Sequence, residues 1–390
     1  MSTAARPAAR LSGPQALGPR AIGWAALAAL AIVLLLAPEI FSAFWLSQIL
    51  TRALWLGIAA LSLIFLSSYG GMLSLAQVGL YGVAGFAMAN LGQGVGGEAL
   101  GWSPWLAVLG GLVAGTLVGL MFGAIASRSY GIYFLMITLA LTLIVYYFFG
   151  QVTQLAGYGG VRNVATPGLI GDPVTHPDGL YYVSLGVSVV CLFGAKYLAR
   201  TPFGLTFQGT RDEPDRMRAL GYNVALHRTL AFGVGAFIAS IAGILSVWWS
   251  TQISPGDVGI NQAIIVLIIA VIGGLYRLEG AFVGAIVYSI LDNYSRSWTP
   301  TVGTTLGPGR FSTVLGVIFL IIVLASPGGI IGLWELGRNR LRRAAGWQSP
   351  SEAQASQQAV AADGAAAPAS ETVSSASDGA STIERRGGVA

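Results

Sequence analysis

The side chains able to do catalytic or metal-binding chemistry are few and scattered. His176 and His227 are the only histidines, both in segments expected to be loops, and the lone cysteine, Cys191, lies in the apolar stretch 181–195. They assemble no Cys–His, Ser–His–Asp or metal-ligand constellation, and a single cysteine forms no disulfide framework. Asp172, Asp178 and Asp257 with His176 are the one acidic group that could serve a membrane enzyme, but they sit among Gly and Pro and read as solvated turns. The single lysine, Lys196, precedes Tyr197, so no phosphate-binding loop of the form GxxxxGK[ST] exists. No catalytic residue, no metal and no cofactor bound by this chain is expected.

Two stretches carry a mechanical chemistry instead. In 200–228, Pro214, Asp215 and Gly221 outline a helix of about two turns that Asp212 or Glu213 can cap and that Gly221 can stop in a left-handed conformation. Met217 and Leu220 share one face, flanked by Arg216 and Arg218. So short a helix needs a partner to pack on; a helix lying on lipid headgroups is the alternative. The second stretch, 70–90, is rich in glycine. Gly79, Gly82 and Gly85 fit close helix packing, yet Gly70-Gly71 also interrupts an apolar run, and an interrupted helix offers backbone groups to a solute. Ser74, Gln77, Tyr81 and Asn90 are the polar groups of this candidate translocation pathway. Gly273-Gly274, followed by Gly280 and Gly284, repeats the break in the second half and suggests an internal repeat with interrupted helices.

The elements that must position these residues follow from composition. Of 390 residues 54% are hydrophobic and 9% charged, against about 25% charged in soluble domains, and the mean hydropathy is +0.70. Intervals free of ionisable groups run 21–38, 53–97, 99–127, 129–161, 179–195, 229–256, 258–276, 280–291 and 311–334. With the second one broken at 67–71, they make about ten membrane helices. The shortest, 280–291, must extend past Asp292 towards Arg296. Placing the amino terminus inside puts 17 of the 21 basic residues on the cytoplasmic side, which orients both termini to the cytoplasm. The expected fold is all-α and polytopic: a cytoplasmic segment 1–20, a membrane domain 21–337, and a basic then disordered tail 338–390. The positive charge implies no nucleic acid. Arg52, at the outer end of the second span, is expected to snorkel to the membrane interface. All 16 carboxylates fall in loops, span ends or the tail, so no ionisable group is expected at membrane depth to hold a coupling ion. Energy for uphill transport would come from a partner.

Gly70-Gly71-Met72-Leu73-Ser74-Leu75 with Gly79 and Gly82 is one part of a wider pattern. The others are Thr201-Pro202-Phe203-Gly204 leading to Arg211-Asp212 and Gly221-Tyr222-Asn223, then Ala242-Gly243, Ser254-Pro255, and Gly273-Gly274 with Gly280 and Gly284-Ala285. Together they resemble the LivM type of permease from branched-chain amino-acid ABC importers, over roughly 46–333. The resemblance implies that Gly204, Arg211, Asp212, Glu213, Arg216 and Gly221 contact a cytoplasmic ATPase, where ATP and Mg would bind. It further implies a second homologous permease, two ATP-binding subunits, an extracytoplasmic solute-binding protein, and a place in the bacterial cytoplasmic membrane among its lipids. The chain departs from that pattern at Leu205, at 156–158, at Glu279 and at Ala281. Permeases of this type also resemble importers of urea, short amides and other small polar solutes, so the solute stays open, as does an ATP-independent channel.

Overall fold

A computed structural model describes residues 33–297, apart from 98, 156, 169, 172 and 174–176, together with Gly316, Gly329, Ile330 and Gly332. They all belong to the unit Met1–Trp334. Segment 1–20, most of the first and last expected spans, the tail, Asp172 and His176 lie outside the described residues.

Among the described residues, one helical turn, Ala37–Ile40, is followed by ten helices: α1 Ala43–Gly70, α2 Ala76–Leu91, α3 Pro104–Ala126, α4 Gly131–Gln151, α5 Pro177–Arg200, α6 Pro202–Asp212, α7 Pro214–Ala219, α8 Val224–Ser250, α9 Ile260–Gly273 and α10 Gly280–Ser297. Helices α1, α3, α4, α5 and α8 are long and apolar enough to cross a membrane. Helix α9 has only 14 residues where a span over 258–276 was expected, because Ser254, Pro255 and Asp257 form a capped 3-10 turn ahead of it. Helix α10 does run past Asp292. Helix α1 contains a π segment, Leu46–Thr51, whose extra residue per turn is taken up where the Thr51 hydroxyl donates to the Leu46 carbonyl at 2.9 Å.

Helices α1, α2 and α8 form the buried centre, and α3, α4 and α5 stand at the periphery with much of their surface outward. Sequence explains the split. On α3, Gly111, Gly115 and Gly119 make a stripe of small residues at intervals of four, and a Cβ on Gly119 would stand 2.1 Å from the Ala236 Cβ of α8. The opposite face presents Leu109, Val113, Leu117 and Met121, all exposed, as a lipid-facing surface requires. Gly79, Gly82 and Gly85 on α2 pack in the same way against Thr142, Val258 and Ile253. At one end of the bundle the strands β1 Val161–Arg162 and β2 Gln252–Ile253 pair antiparallel. The arginine-rich connection α6–α7 lies at the other, separated by the 27 residues of α8, or about 40 Å.

Candidate functional site

Helix α6, in a segment expected to be a loop, is built from ordinary signals. Thr201 takes the N-cap with its hydroxyl accepting from Gly204 N–H at 3.4 Å, and Pro202 occupies the first turn. Gly204 is buried in the elbow between α5 and α6, where a Cβ would meet the Leu198 carbonyl at 2.2 Å. Glu213 holds the N-cap position of α7, but neither it nor Asp212 caps with its side chain; Asp212 instead ends α6 and lies 3.5 Å from Arg211. The chain turns there because Pro214 cannot donate to the end of α6. Helix α7 ends in a Schellman motif: Gly221 at φ +89°, its N–H on the Arg218 carbonyl at 2.9 Å, and Tyr222 N–H on the Met217 carbonyl at 3.0 Å. Met217 packs on Gly209 of α6, whereas Leu220, Arg216, Asp212 and Glu213 are exposed. His227, expected in a loop, sits in the first turn of α8, stacked on Phe203.

This element seats on the first helix break. Phe207 of α6 is fully buried against Gly70, where any Cβ would fall 2.2 Å from its ring. Arg211 crosses Gly71, which adopts φ +62°, and its guanidinium donates to the Ser68 carbonyl near the end of α1. That carbonyl belongs to the negative end of the helix dipole, so the cation is well placed. The second break lies alongside: the Ser67 and Ser68 hydroxyls donate to the Leu275 and Tyr276 carbonyls at 3.3 and 3.2 Å. Gly273 and Gly274 close the α9–α10 turn, where a Cβ on Gly273 would stand 1.8 Å from the Gly280 carbonyl oxygen. Ser68 thus connects Arg211, at the Gly70-Gly71 break, to the turn that follows Gly273-Gly274.

The Leu75 backbone between α1 and α2 is satisfied by side chains of α4. Thr138 Oγ1 accepts from Leu75 N–H at 3.2 Å, and the Thr142 hydroxyl donates to the Leu75 carbonyl at 3.0 Å, so irregular backbone is tolerated inside protein. Ser74 Oγ accepts from Ala76 N–H at 3.2 Å. Further along α2, buried Gln77 has no partner for either amide atom among the described residues. The Tyr81 hydroxyl meets Ser246 of α8. Asn90 lies at the opposite end of α2, donating to the Phe86 and Leu155 carbonyls at 2.9 and 3.2 Å. The candidate residues therefore divide between the break cluster, the α2 interior and the far end.

Two charged contacts join residues far apart in sequence. Lys196 pairs with Glu279 of the α9–α10 turn. Burial pushes the Glu279 carboxyl upward, but hydrogen bonding and charge from Lys196, helped by Arg277, prevail and hold it below its ordinary value. Arg52 pairs with Asp292 of α10 and faces the Trp249 and Tyr288 rings at 5.9 and 6.0 Å. Asp292 is 1% exposed, so a carboxylate is buried within the bundle after all, neutralised by a partner 240 residues away in sequence. No sequence periodicity could reveal that pairing.

The sequence of residues 45–324 matches a known family, described as "Branched-chain amino acid transport system / permease component". The chain belongs to this permease family. It is accordingly an integral membrane subunit of a transport system and not an enzyme. The permease is 24% identical over 350 residues to the high-affinity branched-chain amino acid transport system permease protein LivM of Escherichia coli K12, covering 82% of this chain and 79% of that one. It is 25% identical over 234 residues to the probable branched-chain amino acid transport permease protein LivM of Methanocaldococcus jannaschii, covering 58% of this chain and 66% of the archaeal one. A shorter match, 28% over 159 residues, links 40% of the permease to 45% of the autoinducer 2 import system permease protein LsrC of Escherichia coli O157:H7. No solved structure matches the chain.

Proposed function

We propose that this permease forms half of the translocation pathway of an ABC importer for branched-chain amino acids. A second, related permease completes the pathway, two cytoplasmic ATPases drive it, and an extracytoplasmic solute-binding protein delivers the solute. The observation that carries the reading is the seating of α6 on the first helix break through Phe207 and Arg211, with Ser67 and Ser68 of α1 bonded in turn to the α9–α10 turn. Arg211, Arg216, Asp212 and Glu213 border the exposed surface offered to the ATPase, and Gly204 and Gly221 set the angles of α6 and α7. Closure of the ATPases would press on α6–α7, and α6 would transmit that movement to the ends of α1 and α9 together. Gln77 and Tyr81 lie along the pathway above the breaks. The α6–α7 element favours a driven carrier over an ATP-independent pore, which needs no such docked element.

The amino-acid assignment leans on the LivM relative that covers most of the chain. It is tested by uptake of labelled leucine in cells lacking their own importers but carrying this permease with its partner subunits. Competition by valine and isoleucine, and none by urea or short amides, is the expected result. Competition by the amides alone would assign a different small polar solute.

A further inference from the structure

Helix α4 presents one continuous face from the docked element to the first helix break. Tyr130, the residue before α4, is followed at intervals of four by Phe134, Thr138 and Thr142, which share one side of the helix and are buried. Thr142 lies 12 residues beyond Tyr130, a rise of about 18 Å. At the far end of this face Thr138 and Thr142 bond the Leu75 N–H and carbonyl at 3.2 and 3.0 Å. At the near end it meets α8 in two successive pairs. The Arg228 guanidinium lies 4.1 Å from the centre of the Tyr130 ring, and Phe134 stands edge-on to Phe232 at 6.3 Å.

Arg228 is 5% exposed, yet it pairs with no carboxylate and its Nε has no partner among the described residues. A buried cation without an acid is costly. Here two contacts hold it: the Tyr130 ring and the Thr210 carbonyl in the last turn of α6, to which it donates at 3.4 Å. At the surface, Arg218 of α7, which also pairs with Asp215, donates to the Tyr130 hydroxyl at 2.9 Å. One tyrosine thus takes a cation from α8 on its ring and a cation from α7 on its hydroxyl, and it stands at the head of the face that reaches Leu75.

We propose that Tyr130 is a positioning residue for energy coupling, which clamps α7 to α8 and passes the displacement of α7 along the inner face of α4 to the Leu75 connection. The inference rests on the reading of α6–α7 as the element that meets the ATPase, and it adds a second route to the one through Arg211 and Ser68. The two routes reach the same break at different points, Arg211 at the end of α1 and the threonines just before α2. Movement of α7 must either break the Tyr130 hydroxyl contact or carry α4 with it.

The reconstituted importer carrying Tyr130→Phe, Arg218→Ala or both tests this, with leucine uptake and ATP hydrolysis measured together. Tyr130→Phe keeps the ring on Arg228 and loses only the hydroxyl, so the variant should assemble with its ATPases at the parental yield and unfold at the parental temperature. The ratio of leucine taken up to ATP hydrolysed should nonetheless fall by about threefold or more. Arg218→Ala should lower the ratio as well, and the double variant should lose no more than the worse single one, because both changes remove the same contact. Losses that add in the double variant would overturn the proposal. A parental ratio in Tyr130→Phe, where Arg211→Glu abolishes uptake, would overturn the second route and leave the α6–α7 reading standing. Parental transport in both Tyr130→Phe and Arg211→Glu would overturn that reading and the route with it.

Discussion

The Arg211 guanidinium reaches across Gly71 and donates to the carbonyl of Ser68, whose own hydroxyl donates to the Tyr276 carbonyl. One basic side chain thereby links the docked element to the ends of two interrupted helices. Gly71 is required for the path of that side chain: at φ +62° it ends α1, and a Cβ there would come within 3.1 Å of the Arg211 Cγ. The cation at the negative end of α1 gives the contact a charge-assisted character.

The neighbouring contact, Phe207 on Gly70, predicts a reciprocal pair of variants. Gly70→Ala pushes a methyl into the ring, at a cost of about 1–3 kcal/mol for overpacking, and should lower the unfolding temperature and leucine uptake. Adding Phe207→Leu should recover part of both. An additive loss in the double variant would mean that the two residues do not pack as described.

Breaking the Arg52–Asp292 pair should cost far more than a surface ion pair would. Arg52→Ala removes the cation paired with a buried carboxylate, and thermal unfolding in detergent should show a lowered midpoint. Arg52→Ala with Asp292→Ala should be distinctly more stable than Arg52→Ala alone. If the single variant unfolds like the parent, the pair does not bridge α1 and α10.

Gln77 separates a transport role from a structural one. Both amide atoms lack partners among the described residues, so Gln77→Leu should raise stability by about 1 kcal/mol. Uptake should fall if the amide serves the passing solute. Lower stability would show that the amide is satisfied within the fold.

The Lys196–Glu279 contact predicts a pH dependence. The Glu279 carboxyl is held below its ordinary value of 4.5, so the folded state binds this proton less readily than the unfolded chain. Its contribution is therefore fully present above pH 4.5 and is lost as pH falls through the depressed folded value. Glu279→Gln should remove that part of the acid sensitivity in a thermal unfolding series, and an unchanged acid limb would exclude the contact.

The parts of this fold that were legible in the sequence are those fixed by local stereochemistry. Gly70-Gly71 marks the end of α1, and Pro214 with Gly221 brackets α7. Helix α6 is expected as a loop, because Gly204 and Gly209 interrupt it, although Thr201-Pro202 and the i, i+4 pair Phe203 and Phe207 mark its start and inner face. The Arg52–Asp292 pair and the approach of Ser67 to Leu275 were not legible, because each joins residues more than 200 positions apart. Charge-free intervals bound where helices run; they do not say which faces meet. Hence Asp292 reads as the end of a span, whereas packing of α10 on α1 makes it a buried partner.

The most direct test of the account is Arg211→Glu in the reconstituted importer, with leucine uptake and ATP hydrolysis measured side by side. The substitution sets a carboxylate against the Ser68 carbonyl and should abolish uptake and its coupling to ATP hydrolysis, while membrane insertion remains normal. Uptake equal to that of the parent would contradict the assignment of α6–α7 as the element that transmits ATPase closure to the helix breaks.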